Sequence, residues 1–165
     1  MLSISIKDIK QFMNKLLVKD TFDKMLLSEA TIMTGNTFNI SGSVNRSFYT
    51  DKEWEALDNH DYSYWEVIKP FCFSVIKGTK VPSSIRIIFL LSKEVTQEII
   101  TLNSLDYELK DINGLFLNVR YTEGQLSVIT GVSTGKFTLD KSLDKAFENY
   151  ICSFLEKSEI NYDIL

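Results

Sequence analysis

A chain of 165 residues can bury about 70% of its unfolded surface, and at 44% apolar, 24% charged and 12% aromatic it has the makeup of a folded protein with ordered interior. A net charge of −4 and an isoelectric point near 5.1 leave no Lys/Arg surplus for a surface that attracts nucleic acid as a whole. The most apolar run, Ile85 to Leu91, is far below the ~20 residues that span a bilayer, and no signal-peptide pattern opens the sequence, so the expectation is one globular domain over residues 1–165 in the cytoplasm.

Ser5 followed by Asp8 resembles a capping box, and Ile9, Phe12, Met13 and Leu16 recur at helical spacing, which predicts an amphipathic helix ending near Val18. Its lysines give residues 1–24 a small basic surplus, read as a solvated helix face or, alternatively, a patch for an anionic partner. Two extended runs then flank Gly35-Asn36, a two-residue hairpin loop by its composition. Setting Thr34 against Thr37 pairs Met33 with Phe38, Thr31 with Ile40, Glu29 with Gly42 and Leu27 with Val44, and makes Glu29 the one acid on an apolar core face.

Thr50 with Glu53 and Ser63 with Glu66 are further capping boxes, predicting helices over about 51–58 and 63–77. The second is apolar nearly all round and reads as buried on most sides, with Pro70 kinking it or resetting its start. Ser84 to Leu91 reads as a central strand covered on both faces, interrupted only by Arg86. Ser92 caps a helix to Leu102. Leu105, Tyr107 and Leu109 alternate with charged residues as in an edge strand, and Asn113-Gly114 turns that strand into the next.

Glu123-Gly124 closes a hairpin whose register can be written down: Thr122 with Gln125, Tyr121 with Leu126, Val119 with Val128, Leu117 with Thr130, and Leu115 with Val132 on the core face. Arg120 opposite Ser127, Asn118 opposite Ile129 and Phe116 opposite Gly131 form a half-polar second face. A last helix, capped by Thr138 or Asp140, carries an apolar stripe from Leu143 to Leu155. Ile164 and Leu165 either dock on the body or meet a partner. The fold class is α+β: a mainly antiparallel sheet of two hairpins plus a central strand, with about four to five helices.

Chemistry is thinly marked. Gly131 to Thr138, GVSTGKFT, has three residues between its glycines where a phosphate loop has four, and Phe137 where that loop needs Ser or Thr; a looser anion site at Lys136 is the functional alternative to a plain strand exit. Of the three arginines, Arg86 and Arg120 interrupt apolar strands, where a guanidinium needs a partner. An ion pair with Glu29 is one reading; a surface position or a ligand carboxylate or phosphate held by Arg86, Arg120 and Lys136 are the others. His60, the only histidine, reads as an exposed loop residue with no metal spacing around it. Cys72 and Cys152 stand eighty positions apart without a CxxC and read as reduced thiols. No catalytic residue, metal site or cofactor is expected. Trp54, Tyr62 and Tyr64 belong to an aromatic cluster that is either core or a partner surface.

The segments SIKDIKQFMNKLL, TFDKMLLSEATI, IKPFCFSVIKGTKVP, GLFLNVRY and TGVSTGKFTLDKSLD resemble a family of uncharacterised small proteins from Firmicutes, clostridia especially, known as a domain of unknown function. The resemblance implies a single-domain cytoplasmic bacterial protein and assigns no activity to any residue. The sequence therefore leads to a non-enzymatic binding or interaction protein with a protein partner or self-association. The alternative is a small-anion-binding protein or enzyme with its Arg/Lys site near the 114–138 hairpin.

Overall fold

The computed structural model describes residues 1–58 and 60–165. In chain order the elements are β1 (Ser3–Ile6), α1 (Ile9–Leu17), β2 (Leu26–Met33), β3 (Thr37–Ser41), α2 (Asp51–Ala56), α3 (Trp65–Ile76), β4 (Ser84–Leu90), α4 (Lys93–Leu102), β5 (Ile112–Thr122), β6 (Gln125–Thr134), α5 (Ser142–Lys157) and β7 (Tyr162–Ile164). All seven strands join one antiparallel sheet in the order β3-β2-β4-β5-β6-β1-β7. The fold is α+β. No helix among the described residues is long and apolar enough to cross a membrane.

The period-2 geometry of strands divides the molecule into two sides. Ile85, Ile87 and Phe89 of β4, Leu115, Leu117 and Val119 of β5, and Leu126 and Val128 of β6 are all buried on one face. Against that face lie Phe12 and Leu16 of α1, Trp65 and Cys72 of α3, Ile99 and Ile100 of α4, and Leu143, Phe147, Ile151 and Leu155 of α5, in one continuous core. Phe22 sits at its centre, tilted on Phe12 at 5.3 Å, stacked on Phe89 at 5.8 Å and edge-on to Phe154 at 5.4 Å. Trp65 completes the junction, its ring 5.2 Å from Phe89 and its indole N–H donating to the Leu16 carbonyl at 2.7 Å. That bond satisfies a carbonyl in the last turn of α1 that the helix itself leaves unpaired.

The second face is open around its centre; at one end Leu26, buried yet outside the main core, and its partner Leu90 meet His60 and Tyr62 around a cavity. The face carries Glu29, Thr31, Arg86, Ile88, Phe116, Asn118, Arg120, Ser127 and Ile129, each half-buried or exposed. The expectation that β4 is covered on both sides is therefore corrected: its burial alternates along its whole length. Ile88 and Leu90 are half-buried on that second side, Leu90 in the wall of a cavity.

The β5–β6 register is the predicted one at every pair from Thr122–Gln125 to Leu115–Val132. Glu123 and Gly124 have φ of 52° and 76°, the two left-handed residues of a type I′ turn. The first hairpin differs. Its loop is three residues, Thr34 to Asn36, with Met33 opposite Thr37, Ile32 opposite Phe38 and Ala30 opposite Ile40. A one-residue slip exchanges the two faces of a strand, so Ala30 and Ile32 enter the core and Glu29 moves to the open face.

Four other expectations change. Leu105 to Lys110 is not a strand; a 3₁₀ turn at Leu109–Asp111 leads into β5, and Asn113 lies within β5 at a register shift between Ile112 and Gly114. Short β1 and β7, masked by a helix cap signal and a polar tail, extend the sheet beside β6. The cap of α1 is Asp8, accepting from the Gln11 N–H at 2.9 Å, while Ser5 pairs in β1. α3 begins after Tyr64 rather than at Ser63 and buries only Trp65 and Cys72, leaving Val67 and Phe71 mostly exposed.

Candidate functional site: the open sheet face

Seven residues form a row straight across the uncovered face: Asn39, Thr31, Arg86, Arg120, Ser127, Ser5 and Asp163, each the register partner of the next. Around the two arginines the neighbours are hydroxyls, an amide and the apolar Ile88, Phe116 and Ile129. Flanking strands place Arg86 and Arg120 directly opposite each other. The Leu91 N–H donates to the Leu115 carbonyl, and the antiparallel alternation then makes Arg86–Arg120 a non-hydrogen-bonded pair, with Cα atoms about 4.5 Å apart and side chains at their closest.

Like charges directly opposite on a sheet are destabilising. One carboxylate offsets them: Glu29 Oε1 meets Arg86 Nη2 at 2.6 Å, diagonally across the β2–β4 pair. This is the Glu29–Arg86 pair expected from the sequence, but on the open face, with both side chains close to half exposed. Arg120 has no ion-pair or hydrogen-bond partner among the described residues and borders a shallow groove with Ser5, Thr122, Gln125 and Ser127. The centre of the face thus holds two guanidinium groups and a single acid.

Lys136 is not part of this centre. Arg120 pairs with Ser127, and Lys136 lies beyond Thr134 at the other end of β6; seven residues at ~3.3 Å each put about 23 Å between those levels. Its ammonium stands 3.4 Å from Asp111 and is largely exposed, and the loop around it leaves Phe137 and Leu139 exposed as well. The structure brings Arg86 and Arg120 together and leaves Lys136 apart.

The aromatic residues are divided too. Trp54 is half-buried under the Arg46 guanidinium, 5.1 Å from its ring, and beside Tyr49. Tyr62 forms a bridge with Ser43, and Tyr64 one with Leu26. The Tyr64 hydroxyl is 2.7 Å from His60 Nε2, so His60 is a half-buried, hydrogen-bonded residue rather than an exposed one. Burial first, then the nearby Glu94 and Asp58 carboxylates, push the Tyr64 phenol up, which keeps it neutral. His60 and Tyr62, but not Trp54 or Tyr64, border a cavity of about 270 Å³ with Leu26, Leu90, Glu94 and Asn113 also in its walls. Sequence reading had no signal for this cavity, because its walls come from four separate parts of the chain.

Among the described residues, no group of three or more His, Cys, Asp or Glu side chains is placed to hold a metal ion. Cys72 and Cys152 are free thiols, and burial pushes the Cys72 thiol up to about 11, where it is a poor nucleophile at neutral pH.

Fold and site together define an α+β protein with α1, α3, α4 and α5 packed on one side of an antiparallel sheet and an arginine-centred open face on the other. Residues 15–163 match the model of a family of unknown function, DUF5721, and the chain belongs to that family. No curated protein and no solved structure matches it.

Proposed function

We propose that this is a non-enzymatic binding protein whose open sheet face takes an acidic segment of a protein partner, with carboxylates of that segment meeting Arg86 and Arg120. The observation that carries this reading is the cross-strand arginine pair sharing one carboxylate on an uncovered face. Holding two like charges side by side opposes folding, whereas an arriving carboxylate converts the same pair into a planar, multidentate receptor. The flanking Ile88, Phe116 and Ile129 supply apolar area, and the Ser, Thr and Asn side chains supply hydrogen bonds at the rim, the mixture found at non-obligate interfaces. The free thiols fit a reducing compartment, and we place the protein, as one folded unit, in the cytoplasm of a bacterium of the Firmicutes.

The test is an amide-shift titration of ¹⁵N-labelled protein with a ten-residue glutamate-rich peptide, with inorganic phosphate in parallel. Shifts confined to β4, β5 and β6 that saturate with the peptide and vanish in the Arg86→Gln/Arg120→Gln variant are expected. Equal saturation by phosphate would replace the protein partner with a small anion. No peptide shift on these strands would overturn the reading.

A further inference from the structure

The two edges of the sheet are protected unequally. At one edge β7 is three residues long and carries Asp163, which Lys7 meets at 2.8 Å. Short length and charge are the usual means by which an edge avoids pairing with another chain. At the other edge β3 has neither. From Ala30 to Asn45 the sequence contains no charged residue and no proline, and four of the five β3 residues are exposed.

The backbone of β3 is also oriented for a partner. The Ser83 N–H donates to the Met33 carbonyl, and the Gly42 N–H to the Ser28 carbonyl. Met33 therefore points to β4, while Ser28 and, by alternation, Ala30 and Ile32 point to β3. Phe38 and Ile40 return those bonds, so Thr37, Asn39 and Ser41 aim their N–H and C=O groups outward, away from the sheet.

The strand is complementary to itself. An antiparallel two-fold axis through Asn39 sets Asn39 against Asn39 and Thr37 against Ser41, all three with outward-facing backbone groups, as a hydrogen-bonded ladder requires. On the helix side the same register brings Phe38, which is 39% exposed, beside Ile40 of the other copy. Polar meets polar on one face and apolar meets apolar on the other. No like charges are opposed.

We infer that β3 pairs antiparallel with β3 of a second copy of this chain, joining two seven-stranded sheets about a two-fold axis at Asn39. Such an interface is isologous and closed, so it ends at a dimer and does not run on into a fibre. It also makes the two open faces continuous, with five strand spacings of about 4.8 Å placing the Arg86 residues roughly 24 Å apart. The inference rests on the edge alone and stands whether or not the arginine face binds an acidic partner.

The test uses the full chain, with mass by light scattering across a concentration series and amide hydrogen exchange. The expected wild-type mass is twice the 19.0 kDa of one chain, with the Thr37, Asn39 and Ser41 amides protected from exchange. Asn39→Pro removes an outward N–H, at a position where an edge strand tolerates proline, and the exposed Thr31 hydroxyl's bond to Asn39 Oδ1; it is expected to give a 19.0 kDa species with an unchanged circular dichroism spectrum. Asn39→Lys places two ammonium groups across the axis and is expected to give the same mass with those amides unprotected, which covers the case in which the proline variant fails to fold. A wild type that stays at 19.0 kDa at all concentrations, or a dimer that survives Asn39→Lys with rapidly exchanging β3 amides, would overturn the inference.

Discussion

If Arg120 is held for a partner rather than for the fold, removing its charge should make the isolated protein more stable. In Arg120→Gln most of the side-chain stem remains and the cation goes. Two unit charges about 7 Å apart, the separation allowed to flexible guanidinium groups on opposed residues, repel by about 0.6 kcal/mol in water. Glu29, bonded to Arg86 at 2.6 Å, offsets part of that. A net gain of about 0.3 to 0.6 kcal/mol is therefore expected at low salt, falling several-fold at roughly 0.5 M, where the screening length is about 4 Å. With a urea dependence of about 2 kcal/mol/M the midpoint should rise by about 0.15 to 0.3 M, readable from the fluorescence of buried Trp65. Arg86→Gln relieves the same repulsion but also gives up the half-exposed Glu29 pair, worth less than about 1 kcal/mol, so it should be the less stable of the two variants. A loss above about 1 kcal/mol for Arg120→Gln at any salt concentration would refute the reasoning, since it would mean that Arg120 has a structural partner.

Two further predictions probe the layers on either side of that face. Gly42 lies where an added Cβ would come within 1.8 Å of the Leu27 carbonyl oxygen; Gly42→Ala should cost more than about 3 kcal/mol in urea unfolding or abolish soluble expression, and a loss under 1 kcal/mol would show that the approach of β2 to the chain after β3 is looser. Cys72, in a Cys152→Ser background, should resist alkylation at pH 8, because with its thiol pushed up to about 11 only about a thousandth is thiolate. The sign for stability follows: the folded state keeps this proton longer than the unfolded one, so the contribution is whole below the ordinary thiol pKa of about 8.5 and is lost as pH rises towards 11. Modification of Cys72 within minutes in native buffer, or a urea midpoint as high at pH 11 as at pH 8 relative to Cys72→Ala, would contradict the burial.

What could be read from the sequence follows from how local each signal is. The β5–β6 hairpin carries its register in its own turn: Glu123-Gly124 suits two left-handed residues, and the alternation on both sides agrees with it. The Thr50–Glu53 capping box is equally self-contained, and both of its reciprocal hydrogen bonds form. The β2–β3 hairpin has no such agreement. Gly35-Asn36 looks like a complete two-residue loop, yet Thr34 joins it, and the choice is made by Phe38 and Ile40 reaching the helix side with Ala30 and Ile32. β1 and β7 are four and three residues long, too short for periodicity, and exist because the sheet beside β6 offers them unpaired backbone. The exposure of α3 is likewise a matter of position, since its apolar residues surround the helix and the sheet can cover only one side of it.

The displacement of Glu29 by one residue alters the meaning of the arginines. On the core face it would have been a buried acid requiring a guanidinium, and the pair would have been a matter of folding alone. On the open face neither charge is deeply desolvated, and both Glu29 and Arg86 can remain in water without each other at little cost. Folding therefore does not require the trio, and two cations with one anion is not the arrangement of lowest energy for an isolated sheet. The cheapest arrangement would place a neutral residue at 120, opposite Arg86, as Ser127 and Thr31 already are on either side of the pair. On the proposed function the charge of Arg120 is kept for a carboxylate that approaches the face from outside, and a gain in stability for Arg120→Gln larger than that for Arg86→Gln is the result that separates this cause from a structural one.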